Sequence, residues 1–247
     1  MNIALILSGG RGRRMGGDLP KQYVPVNGRP ILLYSLETIA TDEKIDAVQI
    51  VAETSWQGRV AEWLKDMASS AAENADIRKK FRGFSLPGEN RQLSILNGLR
   101  DIRGYASEEA FVFIHDAARP LLSHGQIRDC LAEAEGHDGV LPVLPMKDTV
   151  YYSEDGKEVS LLKRERLFAG QAPEVFRLGP YLAANERLLP ERILNVNGST
   201  EPAVLAGLDV VMIPGDERNF KITTKEDLER FRQMKIERPM TGGGNSR

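Results

Sequence analysis

Leu7-Ser8-Gly9-Gly10-Arg11-Gly12-Arg13-Arg14-Met15-Gly16, followed by Pro20-Lys21-Gln22, is the stretch on which the reading of this chain turns. It comes directly after an apolar run at 3–7 that reads as a strand. Glycines let a backbone turn tightly and aim successive N–H groups at one anion. The ends of parallel strands are where α/β sheets bind ligands. Three arginines and a lysine crowd the loop, although the whole chain carries 33 basic against 35 acidic residues. A polyphosphate fits this combination. A dinucleotide fingerprint would need a third glycine where Met15 stands, and the Gly-Lys-Ser/Thr of a P-loop occurs nowhere.

Outward from the loop, short apolar runs alternate with amphipathic segments. Residues 3–7, 47–52, 110–115, 139–143 and 210–213 read as strands, and 31–40, 56–69, 91–100, 126–134, 180–189 and 225–234 as helices. Ser123 with Gln126 spells a capping box, and Thr224 with Asp227 a looser one. Near-continuous apolar strands alternating with helices predict an α/β fold: a three-layer, Rossmann-like, mostly parallel sheet. One domain over 1–240 is expected, with a Gly-rich, polar and disordered tail at 241–247. Residues 149–162 break the alternation with two β-prone arms around Asp155-Gly156, a hairpin signal. Such an arm packs on its own body or reaches a second subunit. Its apolar residues Val150, Tyr151, Tyr152, Val159, Leu161 and Leu162 lead us to expect a homodimer through the arm.

With 247 residues the chain is long enough to bury a sizeable core, and its net charge of −2 argues against a nucleic-acid partner. No stretch reaches membrane-spanning length, and the N-terminal apolar run is too short for a signal peptide, so a cytoplasmic protein is expected. The single cysteine, Cys130, lies in a helical segment and reads as a buried thiol. Trp56 and Trp63, seven apart, share a helix face and read as core.

Several strings carry a family resemblance. The 7–15 loop with Pro20-Lys21-Gln22 resembles the opening signature of nucleotidyltransferases. Gly88-Glu-Asn-Arg91-Gln-Leu-Ser94-Ile-Leu-Asn97-Gly98-Leu99 and His115-Asp116-Ala117-Ala118-Arg119-Pro120 resemble motifs of the 2-C-methyl-D-erythritol 4-phosphate cytidylyltransferase family. Lys147-Asp148-Thr149, Gln171-Ala-Pro173 and Asn219-Phe-Lys221-Ile-Thr223-Thr224 follow in that family's order. Ribitol-5-phosphate cytidylyltransferases share most of these strings, so the nucleotide is better specified than the polyol. The chain departs from the pattern in three places. Gln171-Ala172-Pro173-Glu174 stands for Gln-Thr-Pro-Gln, and Asn197-Gly198-Ser199-Thr200 for Thr-Asp-Asp/Glu-Ala. Arg218 stands where an Asp often precedes the Asn-x-Lys motif. All three lie on the acceptor or metal side.

The resemblance implies transfer of CMP from CTP to a polyol phosphate, 2-C-methyl-D-erythritol 4-phosphate first, with ribitol 5-phosphate as the alternative acceptor. A catalytically idle CTP-binding module is the alternative of another kind. In-line attack by a phosphate oxygen on the α-phosphorus needs positioning and charge stabilisation rather than a protein nucleophile. That suits a site rich in Lys and Arg. Arg14 and Lys21 are the candidates for the α-phosphate, and Arg164 and Lys221 for the acceptor phosphate. The resemblance assigns CTP to Leu7, Ser8, Gly9, Gly10, Gly12, Arg13, Gly88, Arg91, Ser94 and Ala117, with Gly88 and Ser94 flanking the cytosine. It assigns the acceptor to Arg119, Thr149, Arg164 and Lys221. Asp116, at the carboxyl end of a buried strand, suits Mg²⁺; it could instead cap a helix or pair with Arg119. Alternation along that strand points His115 the other way, as a packed histidine.

Overall fold

The computed structural model describes residues 1–10, 19–70 and 76–236. Arg11, Gly12, Arg13, Arg14 and the 241–247 tail lie outside the described residues.

In chain order the elements are β1 (Asn2–Leu7), β2 (Pro25–Val26), β3 (Arg29–Pro30), α1 (Ile31–Thr41), β4 (Ala47–Val51), α2 (Thr54–Ser70), α3 (Asp76–Lys80) and β5 (Phe81–Ser85). Then come α4 (Arg91–Arg103), β6 (Phe111–Asp116), α5 (His124–Ala134), β7 (Gly139–Pro145), β8 (Tyr151–Tyr152), β9 (Ser160–Leu161), β10 (Phe168–Gly170) and β11 (Glu174–Arg177). The chain continues through α6 (Leu178–Glu186), α7 (Glu201–Leu205), β12 (Val210–Pro214) and α8 (Lys225–Ile236).

The central sheet runs β5-β4-β1-β6-β11-β7-β12, with β10 beside the far end of β7. Parallel pairing links β5, β4, β1 and β6, and β7 with β12. Between them β11 is antiparallel to both β6 and β7, a wedge in a mostly parallel sheet.

Successive side chains of a strand face opposite sides, and β1 shows what this does. Ala4 and Ile6 join one core with Leu32 and Leu36 of α1, Val60 of α2 and Ile127 of α5. Ile3 and Leu5 join the other with Leu96 and Leu99 of α4 and Tyr181 of α6. The sheet is thus covered on both faces, the condition that makes β1, β4 and β6 almost wholly apolar. A third cluster, Val26, Ile31, Ile222, Leu228 and Phe231, packs α8 onto the β2–β3 hairpin and α1. Trp56 and Trp63 both pack on Tyr23, whose ring stacks on Trp56 with centroids 4.3 Å apart.

The capping box at Ser123 forms in full, and the Thr224–Asp227 pair closes reciprocally. Residues 151–161 form the expected hairpin, with Tyr151 opposite Leu161. Asp155 shapes its turn by accepting from the N–H groups of Lys157 and Glu158. Its apolar side chains are exposed on this chain, Leu161 to 83%.

Candidate active site

The loop after β1 is built by stapling. Gln22, 3% exposed, donates to the Ser8 carbonyl at 2.7 Å and to the Gly10 carbonyl at 2.8 Å. The Ser8 hydroxyl donates to the Tyr23 phenol oxygen at 2.9 Å, under the two tryptophans. Lys21 heads the short 3-10 turn that carries Gln22 and Tyr23, its entry set by Pro20. Pro20 sets the turn and Gln22 staples the loop, and both Lys21 and Gln22 line the cavity.

That cavity, about 700 Å³, opens at the carboxyl ends of β1, β4 and β6. Leu7, Gly9, Gly10, Gly88, Arg91, Ser94 and Asp116 line it with Lys21 and Lys221. Two glycines are required by close approach. A Cβ on Gly9 would lie 2.6 Å from the Pro87 side chain, and one on Gly88 would lie 2.3 Å from Leu93 Cβ. The loops after β1 and β5 meet there. Ser94 accepts from the Gly88 N–H at 3.0 Å and donates to the Asn90 carbonyl at 2.8 Å, while Asn90 caps α4 by accepting from Leu93 N–H. The hydroxyl therefore shapes the loop between β5 and α4.

Asp116 ends β6 and is 6% exposed. Its Oδ1 lies 3.3 Å from Arg91 Nε, and its Oδ2 lies 3.0 Å from Lys221 Nζ and 3.4 Å from Arg119 Nε. Burial alone would raise this carboxyl, but Arg91, Lys221 and Arg119 outweigh it and hold the group well below the usual carboxylate range. Two backbone ties bring Lys221 in. Arg119 donates to the Asn219 carbonyl at 2.8 Å, and the Ile222 N–H to the Ala118 carbonyl at 2.8 Å. Asn219 in turn donates to the Ala172 carbonyl, and Gln171 to the Asp216 carbonyl, so the late motifs lock onto the one around Asp116.

On the other side of Arg91 stands a second carboxylate. Glu174 Oε2 is 3.7 Å from Arg91 Nη2, and Arg91 Nη1 donates to Ser199 Oγ at 2.7 Å. Burial pushes the Glu174 carboxyl up, with Arg91 and the Ser199 hydroxyl opposing it.

His115 is fully buried with Nε2 against the Arg119 carbonyl at 3.0 Å, and burial pushes it down to about 4, so it is a neutral packed ring. Cys130 is buried and its thiol is pushed up to about 12 by burial.

A family model described as 2-C-methyl-D-erythritol 4-phosphate cytidylyltransferase (IspD) matches residues 2–234. This chain belongs to that family. The enzyme of that name from Geobacter metallireducens is 36% identical over 92% of this chain and 94% of its own length. The chloroplastic enzyme of rice is 34% identical over 91% of this chain and 71% of its own. A bifunctional IspD/IspF enzyme of Paramagnetospirillum magneticum is 36% identical, and this chain spans 56% of that longer protein. Among solved structures, 4-diphosphocytidyl-2C-methyl-D-erythritol synthase from Anaerococcus prevotii shares the fold with a TM-score of 0.78 at 23% identity, over 96% of both chains. The Francisella tularensis enzyme gives 0.73 at 23% identity, over 94% of this chain and 98% of its own.

Within this cytidylyltransferase family chain, the residues singled out from sequence divide into groups. Lys21, Arg91, Asp116 and Lys221 converge with Leu7, Gly9, Gly10, Gly88 and Ser94 on one cavity. Arg119 reaches the same carboxylate from behind. Ser8 faces Tyr23, and Ala117 is buried with its N–H on the Leu7 carbonyl, so neither lines that cavity. Thr149 and Arg164 are exposed, and Arg164 donates to the Lys147 carbonyl at 3.0 Å; neither lines the cavity of its own chain. Gly12, Arg13 and Arg14 fall outside the described residues. Glu53, Asn90, Ala118 and Thr223, none of them given a role from the sequence, also line the cavity. Asn90 before a helix is an N-cap signal that could have been read.

No helix among the described residues is long and apolar enough to cross a membrane.

Proposed function

We propose that this chain transfers CMP from CTP to 2-C-methyl-D-erythritol 4-phosphate and releases pyrophosphate. The observation that carries the reading is the convergence of Lys21, Arg91 and Lys221 with Asp116 on a cavity floored by Gly9, Gly10 and Gly88. Two anions must meet there, and cations fixed before they arrive stabilise charge without reorganising during the reaction.

In this reading the triphosphate lies along the loop after β1, and Lys21, with Arg14, neutralises the α-phosphate as charge grows on its equatorial oxygens. Gly88 and Ser94 flank the cytosine. Lys221 and Arg119 hold the acceptor phosphate. Its oxygen attacks the α-phosphorus in line, the bond to the bridging oxygen breaks, and pyrophosphate leaves. The attacking phosphate is already ionised, so no protein base is required.

Among the described residues, no three His, Cys, Asp or Glu side chains assemble into a metal cluster. An ionised carboxylate offers about four lone-pair positions, and cations approach those of Asp116 from three side chains. That donor set fits a cation taking one protein oxygen and its other ligands from phosphate and water, as Mg²⁺ does. Bound so, Mg²⁺ would offset charge on the triphosphate.

The exposed arm supports a homodimer in which Arg164 and Thr149 complete the acceptor side of the partner's cavity. Pyrophosphate release from CTP, UTP, ATP and GTP, with acceptor present, tests the nucleotide assignment. CTP should be turned over fastest; equal or better use of ATP would overturn the assignment of Gly88 and Ser94.

A further inference from the structure

Glu174 is 7% exposed, and burying a carboxylate is costly unless it is paired. On β11 it sits opposite Ile114, two residues before Asp116. Its Oε2 accepts from the Ser199 hydroxyl and faces Arg91, while its Oε1 accepts from Thr200 Oγ1 at 3.3 Å. Ser199 is 1% exposed, and its carbonyl accepts from the Tyr181 hydroxyl at 2.6 Å, which anchors it to α6. One guanidinium thus meets three groups along its edge: Asp116 at Nε, Ser199 at Nη1 and Glu174 at Nη2.

Two of the sequence departures meet at this contact. Position 174 carries Glu where the resembled pattern has Gln, and position 199 carries Ser where the pattern has an acid. Position 174 is acidic here and position 199 is not, the reverse of the resembled pattern, and Arg91 lies between two carboxylates.

We infer that Glu174 is a positioning residue: with Ser199 it latches the Arg91 guanidinium against Asp116, and the exchange between 174 and 199 preserves the latch. The inference rests on the cytidylyl-transfer reading of the same site. Glu174→Gln would leave an amide N–H₂ or a single carbonyl oxygen where Arg91 and two hydroxyls now find a carboxylate. Without that charge Arg91 keeps only Asp116 as an ionic partner and can swing toward the cavity.

Glu174→Gln, Ser199→Asp and the double variant test this. The Arg91 Nε–H resonance is followed beside steady-state kinetics. In Glu174→Gln kcat should fall about ten-fold or more and the KM for CTP should rise, since Arg91, which lines the cavity assigned to CTP, is misplaced. The Arg91 signal should broaden. The double variant should recover kcat to within about three-fold of wild type and sharpen the signal, a non-additivity expected of residues in contact or in one hydrogen-bond network. If Glu174→Gln folds poorly, recovery of folding and turnover in the double variant still supports the exchange. Wild-type kcat and an unchanged Arg91 signal in Glu174→Gln would overturn it, as would a double variant no better than the single one. A wild-type protein that releases no pyrophosphate defeats the proposed function alone, because the Arg91 resonance still decides the latch.

Discussion

Lys221 Nζ lies 3.0 Å from Asp116 Oδ2, joining the loop before α8 to the end of β6. Arg91 and Arg119 flank the same carboxylate, so Lys221→Ala should leave Asp116 paired and the fold intact. Its expected effect is on the acceptor: a KM for the polyol phosphate raised about ten-fold or more, with the KM for CTP near wild type. Initial rates with each substrate varied in turn check this. A change confined to CTP would reassign Lys221 to the triphosphate.

Lys21→Ala should act differently. A charge that serves mainly the transition state lowers kcat and kcat/KM together, by roughly 2–4 kcal/mol in barrier if it resembles loss of an oxyanion donor. Gln22 and Tyr23 carry the structural tasks of that turn, so thermal stability should stay near wild type. A variant that only raises KM would make Lys21 a binding residue.

Asp116→Asn should shift the Mg²⁺ activation curve to higher concentration and lower maximal activity, because a neutral amide is a weaker oxygen ligand. A titration in Mg²⁺ at saturating CTP measures it. A curve superposable on wild type would put the protein ligand elsewhere, for instance at Glu53, which lines the same cavity.

Most of this site was legible in the sequence because phosphate chemistry demands local signatures. A glycine-rich turn, a lysine fixed by proline and a strand-end carboxylate each show in a few adjacent residues. Strands buried on both faces were legible for a similar reason: β1, β4 and β6 are mostly apolar, with Gln49 the one polar residue inside β4 and His115-Asp116 closing β6. The edge strand β5 was not read, because Phe81-Arg-Gly-Phe-Ser85 is polar at Arg82 and broken by Gly83. The wedge strand β11 was missed because four residues run straight into α6 with no turn between them. The same wedge brings Glu174 to Arg91, a pairing of residues far apart in the chain that no local pattern signals. The short helix α3 was also passed over.

The arm prediction concerns assembly. An isolated two-stranded hairpin is marginal in water, and this one exposes Tyr151, Tyr152, Val159 and Leu161. Replacing Tyr151 and Leu161 with charged residues should give monomers with impaired acceptor use and near-normal CTP binding. Sedimentation velocity and CTP titration check the two halves. A wild-type chain that is monomeric and fully active would defeat the homodimer.

Cys130 offers a test of the core. Its thiol is raised to about 12 by burial, above the usual thiol value of about 8.5. A raised folded-state pKa means the native protein disfavours the thiolate, so the associated stability is present at neutral pH and is lost as pH climbs above the ordinary thiol range. Native protein at pH 8 should therefore resist a thiol reagent and react with one equivalent only after unfolding. Rapid native labelling would contradict the packing of α5 against β7 and β11.

The acceptor decides the account most directly. With CTP and Mg²⁺ saturating, pyrophosphate release should be measured side by side with 2-C-methyl-D-erythritol 4-phosphate and ribitol 5-phosphate. We predict turnover with the methylerythritol phosphate at a kcat/KM at least about ten-fold above that for ribitol phosphate, a gap of roughly 1.4 kcal/mol in transition-state binding. Equal or better use of ribitol phosphate, or no pyrophosphate with either, would contradict it.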